Sequence, residues 1–549
     1  MKEKKKFSFT PEKLWGIAIF VFFAWFIFAF LVFPNLNTVV SVFYQNGHFT
    51  TEVFTKLIHS TKAMRSLRNS LILAPTLSLT VGFIGISLVL ITEYFDIKGA
   101  NILRLGYMTT LFAKIIPSFP IDWFEGYWAV LFVMTFACTS NHMIFLRNAM
   151  RSVDFQTVEA AQNMGASQFR ILTKVVLPVL TPSLMAVTIL TFITGLSATS
   201  APLLVGGQDF QTITPMILTF ANNVSSRPLA ALLALFLGVA TIILLTIMIQ
   251  IEKRGHYMSV SKVKTTIVKQ KIRNPILNVL AHVYAYLLFL IYVIPVALVV
   301  LFSFTDSATI ASKHLTLSSF TLENYISIFQ KASSYKPFVV SIAYSAIAAS
   351  FVAIIVLIAC RILQKRKDRL GGALEYGLLI PWLLPTTLMA LGLITTYNTP
   401  RVWMFNKVLT GTSVIMLIGY IIIKIPFTLR MTKAAFFSLD DSLEDAARNM
   451  GAKPFYTFMR VQLPIILPTV LAIFALNFNG LLGDYDMSVF MYHPLNKPLG
   501  VYIKSLTDSE TNADNAALTF VYAVLMMIIS AVVMYLVYGR GNKVDKSKD

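Results

Sequence analysis

The most chemically suggestive stretch of this 549-residue sequence occurs twice. Asp154-Phe-Gln-Thr-Val-Glu159-Ala160-Ala161-Gln-Asn163-Met164-Gly165-Ala166 is followed by Phe169, Val175, Leu177-Pro178 and Pro182. Shifted by 286 residues stand Asp440, Asp445-Ala446-Ala447, Asn449-Met450-Gly451-Ala452, Phe455, Val461, Leu463-Pro464 and Pro468. Twelve of the 29 aligned positions are identical, which chance alignment explains poorly. Asp154 and Asp440 suit the N-cap of a short helix, and Gly165 and Gly451 suit its left-handed end. A second short helix is expected from near Ser167 in one copy and from Pro454 in the other, where proline fits the first turn. Helix, tight turn and helix make a compact knob. The chemistry of such a knob is recognition by another protein rather than bond-making.

Other chemistry is poorly supplied. The seven histidines (48, 59, 142, 256, 282, 314 and 493) are scattered, without a His-Glu-x-x-His pattern, and Cys138 and Cys360 lie far apart in apolar runs. No metal centre, cofactor or catalytic residue is expected. The sequence contains no Gly-Lys dipeptide, so it has no Gly-x4-Gly-Lys-Ser/Thr phosphate loop. Polar groups do gather inside two apolar runs: Thr194, Ser197, Thr199 and Ser200 in one, Asn477, Asn479, Asp484 and Asp486 in the other. Polar side chains are costly in lipid and point to a protein-lined or wet surface. Asn477 and Asp484, like Asn479 and Asp486, are seven apart and would share a helix face. The two aspartates either line a pathway, where they suit a cationic or metal-bearing solute, or lie past the membrane edge in a solvated loop.

The elements that must carry these residues are membrane helices. The chain is 56% hydrophobic and 13% charged, against roughly 25% charged in soluble domains. Spanning-length runs lie at 14–33, 70–91, 103–119, 126–146, 179–203 and 228–251, and again at 276–303, 338–360, 375–396, 412–429, 465–485 and 517–538. The expectation is an all-α integral membrane protein of about twelve transmembrane helices, as two parallel six-helix repeats. The net charge of +20 follows from cytoplasmic loops rich in Lys and Arg and does not call for nucleic acid. With the amino terminus inside, inside segments, counted with Arg104 at the inner end of the run 103–119, hold 32 of the 46 Lys and Arg and outer loops hold 12. Both termini are then cytoplasmic, and 14–33 is a retained span with no cleavage site after it. Lys114 and Lys424 fall within spans, near enough to the expected ends to snorkel.

The duplicated stretch resembles the Glu-Ala-Ala-x3-Gly-x9-Ile-x-Leu-Pro loop of bacterial binding-protein-dependent ABC importer permeases with the type-1 transmembrane domain. Valine stands for isoleucine in both copies, and Asp445 for the glutamate in the second, with Glu444 beside it as a possible substitute. The resemblance implies loops that dock two copies of an ABC ATPase subunit through Glu159, Ala160, Ala161 and Gly165 and through Asp445, Ala446, Ala447 and Gly451. It implies ATP hydrolysis on that separate subunit, and an extracytoplasmic solute-binding protein as partner. The outer loops 34–68 and 303–336 are either its docking surface or simple connections. It implies a fold in which the fifth span of each half lines the solute pathway. The implied organisation is 1–64 as tail, first span and outer loop, 65–252 as the first type-1 domain, 253–334 as linker, seventh span and outer loop, 335–538 as the second type-1 domain, and 539–549 as a cytoplasmic tail. The resemblance places the protein in the bacterial cytoplasmic membrane. Among fused double permeases it is nearest to the ferric-iron systems, with thiamine, aminoethylphosphonate and polyamine systems beside them; an ion-coupled secondary transporter is the alternative of another class.

Overall fold

The computed structural model describes residues 11–45, 47–100, 103, 124–150, 153, 155–254, 269–272, 274–312, 316–366, 368–437, 439, 442–507 and 514–538. Among these, nine helices are long and apolar enough to cross a membrane, and two bent helix pairs bring the number to eleven. They coincide with eleven of the twelve expected runs. The run at 103–119, with Lys114, lies outside the described residues apart from Leu103, as do Asp154, Asp440 and both chain ends. A two-residue hairpin, Tyr44–Gln45 with His48–Phe49, follows the first span.

One run expected as a straight span is not straight. Residues 375–396 fall in two helices, Arg369–Leu383 and Thr386–Tyr397, which meet at 105°. The cause is Pro385, whose ring keeps the residue before it out of helical geometry; Leu384 is extended, with φ −117° and ψ 138°. The fifth span bends more gently, by 58°, between Gln168–Thr181 and Ser183–Leu196. Proline also leaves a matched mark on both repeats. The Leu177-Pro178 and Leu463-Pro464 steps are each preceded by a five-residue π-helical segment, Leu172–Val176 and Phe458–Gln462. Proline lacks an N–H and crowds the preceding turn, and the wider π turn absorbs both effects.

The chain forms two compact units that are discontinuous in sequence. One comprises Met1–Thr51, Pro337–Gly500 and Ala531–Asp549; the other comprises Glu52–Lys336 and Val501–Ser530. In the first unit, Phe23, Phe26, Phe30 and Leu31 of the first span pack into a core with Val352, Leu378, Ile422 and Ile466. Close approach there needs small residues: a Cβ on Gly377 would lie 2.8 Å from Ile27, and one on Gly392 would lie 2.9 Å from the Pro34 carbonyl. Asn37 donates to the Thr396 hydroxyl at 3.1 Å, and Trp25 to the Trp403 carbonyl at 3.1 Å. In the second unit, Ala285, Leu288 and Tyr292 of the seventh span share a core with Leu88, Met143, Val158 and Leu180. Each unit thus takes its leading span from the other half of the sequence.

The repeat extends beyond the duplicated loop. The Ile213 amide donates to Ser70 Oγ at 2.9 Å, and the Leu499 amide, 286 residues on, donates to Ser341 Oγ at 2.8 Å. Each serine satisfies the first N–H of a short helix, Ile213–Ala221 or Leu499–Thr507, which would otherwise be orphaned inside the protein.

Candidate functional site

The duplicated loops fold alike. The helices Phe155–Asn163 and Ser442–Asn449 each end in a glycine of positive φ, +77° at Gly165 and +81° at Gly451. Around Gly165 the Ala166 amide donates to Ala161 O at 3.0 Å and the Gly165 amide to Gln162 O at 2.9 Å. Around Gly451 the Ala452 amide donates to Ala447 O at 3.0 Å and the Gly451 amide to Arg448 O at 2.9 Å. Both are Schellman caps, in which crossed bonds satisfy the last helical carbonyls and the chain reverses at the glycine. Ser167 caps the next helix by accepting from the Arg170 amide at 3.4 Å, and Pro454 opens its counterpart.

The cap sorts the residues of the motif by direction. Ala161 and Ala447 are buried, 9% and 4% exposed, and anchor each helix. Glu159, Ala160 and Gly165 are exposed, as are Asp445, Ala446 and Gly451. Beside them two apolar side chains per loop stand in the open at matched positions: Met164 at 81% and Phe169 at 75%, Met450 at 82% and Phe455 at 76%. Large apolar groups this exposed thus recur at matched positions around both turns. The sequence carried these four only as identities in the alignment, since an apolar residue read in a line does not show whether it faces a core.

The two loops are anchored differently. At the position of buried Val158 the second copy has Glu444, whose carboxylate takes both terminal nitrogens of Arg361, each at 3.0 Å, and the Gln462 amide at 3.0 Å. These bonds to Arg361 hold its carboxyl below the ordinary glutamate range. Glu444 is therefore turned inward, and Asp445, one residue on, presents the exposed carboxylate of this loop. Further ion pairs fix the neighbouring helices: Arg147 Nε lies 2.9 Å from Glu93, and Lys433 Nζ lies 2.5 Å from Glu375. Arg147 and Lys433 are again 286 apart.

The polar groups of the fifth spans lie in the last turns of those helices and just past them. Helices Leu177–Leu196 and Leu463–Leu482 end at equivalent leucines. Ser197 is the C-cap of the first, its hydroxyl donating to Ile193 O at 2.8 Å; Thr199 is buried and donates to Ser197 O at 3.2 Å, and Ser200, exposed, starts the helix Ser200–Val205. In the second half Asn477 is buried and donates to Thr428 Oγ1 at 2.7 Å, while Asn479 is half-buried. The helix face expected to run from Asn477 to Asp484 and from Asn479 to Asp486 is not formed, because the helix ends at Leu482 with Gly483 as its cap. Asp484 instead accepts the Met487 and Ser488 amides on Oδ2, at 3.2 and 3.1 Å, and so stabilises the next turn. Asp484 and Asp486 are both half-buried. Lys424, expected near a span end, lies in the middle of helix Ser413–Phe437, which runs on past 429. Its amino group is 2.9 Å from where a Gly480 side chain would begin, and its charge acts on Asp484. Among the described residues, no group of three or more His, Cys, Asp or Glu is placed to hold a metal ion.

Residues 7–254 and 271–543 each match the family described as binding-protein-dependent transport system inner membrane component. The chain is 36% identical to probable ABC transporter permease protein y4fN of Sinorhizobium fredii, over 93% of this chain and 94% of that one. It is 21% identical to the ferric transport system permease protein FbpB of Actinobacillus pleuropneumoniae, over 95% of this chain and 78% of that one. A shorter stretch, 27% of this chain and 60% of the relative, is 31% identical to the probable sulfate transport system permease protein cysT of Prototheca wickerhamii. With two copies of the family domain in a multi-pass helical membrane chain, the protein belongs to the binding-protein-dependent ABC importer permeases and has their type-1 fold.

Proposed function

We propose that this permease forms the solute path of an ATP-driven importer, that its two duplicated loops each dock one copy of a separate ATPase subunit, and that its outer face receives a solute-loaded binding protein. The observation that carries this is the pair of identically capped turns, each displaying a carboxylate, an exposed methionine and an exposed phenylalanine. Closure of the ATPases on nucleotide would favour one arrangement of the membrane helices by binding it more tightly. The excess of Lys and Arg in the segments that include these loops supports an orientation with the loops and both termini in the cytoplasm of a bacterial cell. The type-1 domains are proposed at 65–252 and 335–538, and chemistry on ATP is assigned to the partner.

The proposed solute is ferric iron. Near-full-length likeness to a permease named for ferric transport supports it, as do Asp484 and Asp486 beside the end of the second fifth span. Lys424 near the same end favours a second reading, a solute bearing an anionic group such as an aminoethylphosphonate. The test is purification of the tagged chain from its native membrane in mild detergent, with mass spectrometry of what accompanies it. A Walker-motif ATPase and a secreted binding protein are expected, and the ligand retained by the latter names the solute. A homogeneous preparation that is active in uptake and contains neither would overturn the coupling reading and favour ion-driven transport.

A further inference from the structure

The two loops differ in a second respect that the repeat does not predict. Short linker residues between the halves are built into the first loop. Gln270 donates its amide to Tyr94 O at 2.8 Å and accepts the Asp96 amide on its own carbonyl at 2.9 Å, forming a parallel bridge with Phe95 at the end of the second span. Its side-chain Oε1 accepts from Gln162 Nε2 at 2.6 Å, and the neighbouring Lys271 carbonyl accepts from Gln168 Nε2 at 2.6 Å. Gln162 and Gln168 stand three residues before and three after Gly165, so the linker holds both arms of the turn. Ile272 then packs against the core that contains Val158 and Ala161. At the matching positions of the second loop stand Arg448, largely exposed, and Pro454, which has no side-chain amide to offer.

We propose that Lys269–Ile272 is a working part of the first loop, with Gln270 as a positioning residue that sets the Gly165 turn for its partner. The second loop is positioned instead by Arg361 and Gln462 through Glu444. The two docking sites of this fused chain are therefore held differently, and a displacement of Lys269–Ile272 reaches the first through Gln162 and Gln168. The proposal rests on the reading of these loops as ATPase docking sites.

Hydrogen exchange on the purified full chain, reconstituted in lipid nanodiscs, tests the clamp without any partner. Gln270→Ala should raise exchange in the segment 155–171 by about threefold to tenfold, the effect of losing one half-buried hydrogen bond, and leave 442–457 unchanged. Gln162→Ala should do the same, and the double variant should add little more. Gln270→Glu keeps an acceptor oxygen for Gln162 and should restore protection. In vesicles carrying the co-purified ATPase, Gln270→Ala should lower the solute moved per ATP hydrolysed, and Gln270→Glu should recover it. Unchanged exchange at 155–171, or an equal rise at 442–457, would overturn the clamp even where ATP-driven uptake is intact. A localised rise in exchange in a chain whose wild-type uptake ignores ATP would overturn the docking reading and the positioning role with it.

Discussion

Arg361 holds Glu444 with both terminal guanidinium nitrogens at 3.0 Å, tying the end of one membrane helix to the helix of the second loop. Both side chains are mostly shielded, 15% and 18% exposed, so the pair is less screened than a surface bridge. Removing one partner leaves the other without its charge-assisted bonds, at a cost of about 1.5–3 kcal/mol. Glu444→Gln should therefore lower the thermal stability of the purified chain, whereas Asp445→Asn, one residue away and exposed, should leave it unchanged and instead reduce ATP-driven uptake. Thermal unfolding followed by intrinsic fluorescence, paired with uptake, separates the two.

The same pair gives a pH dependence of fixed sign. Arg361 holds the folded carboxyl of Glu444 below its ordinary range. A group whose folded pKa is depressed contributes its stabilisation above the unfolded value and loses it as pH falls through the folded one. The stability gap between wild type and Glu444→Gln should be full at neutral pH and narrow on acidification below the ordinary glutamate range. A gap that widened with acid would contradict the charge-assisted assignment.

Gly165 and Gly451 call for a backbone test, since both sit at positive φ with open space where a side chain would go. Substitution costs conformational strain and not a clash, about 1–2 kcal/mol for a residue that resists the left-handed region. Gly165→Val with Gly451→Val should open both Schellman caps and abolish ATP-dependent uptake while the protein still folds in the membrane. Asparagine, which adopts this conformation more readily, should retain part of the activity. Equal loss with valine and asparagine would point to side-chain bulk at the docking surface in place of turn geometry.

Much of this was legible from the sequence because its physics is local or periodic. Apolar runs of spanning length located eleven of the helices now described, and Gly165 and Gly451 announced their own turns. What stayed hidden depends on partners distant in sequence. Arg361 lies 83 residues from Glu444, and Gln270 lies 108 from Gln162, so no window contains either pair. The right-angle break at Leu384-Pro385 was readable in principle from the proline, but an apolar run without charge reads as one span. The face drawn through Asn477 and Asp484 failed for a related reason. Seven-residue spacing is meaningful only while the helix lasts, and Gly483 ends it.

Met164, Phe169, Met450 and Phe455 separate docking from folding. All four are exposed and none contributes to the buried core, so replacing them should not destabilise the chain. Met164→Ser with Phe169→Ser should reduce the amount of ATPase recovered with the permease, and the matching changes at 450 and 455 should add to the loss. Loops anchored by different residues, Gln270 for the first and Arg361 for the second, should respond independently. Membrane yield that falls in parallel with ATPase recovery would show that these side chains fold the protein instead.

Asp484 is the residue at which cap and charge can be told apart. Its Oδ2 accepts two backbone amides, which asparagine can still do through its carbonyl oxygen, whereas alanine cannot. Asp484→Asn should therefore leave thermal stability near wild type, and Asp484→Ala should lower it by about 1 kcal/mol, the usual cost of losing such a cap. If the carboxylate also serves a cationic solute beside Lys424, Asp484→Asn lowers uptake at unchanged stability. Uptake that follows stability through both variants would assign the residue to the turn before Ser488 and remove it from the solute pathway.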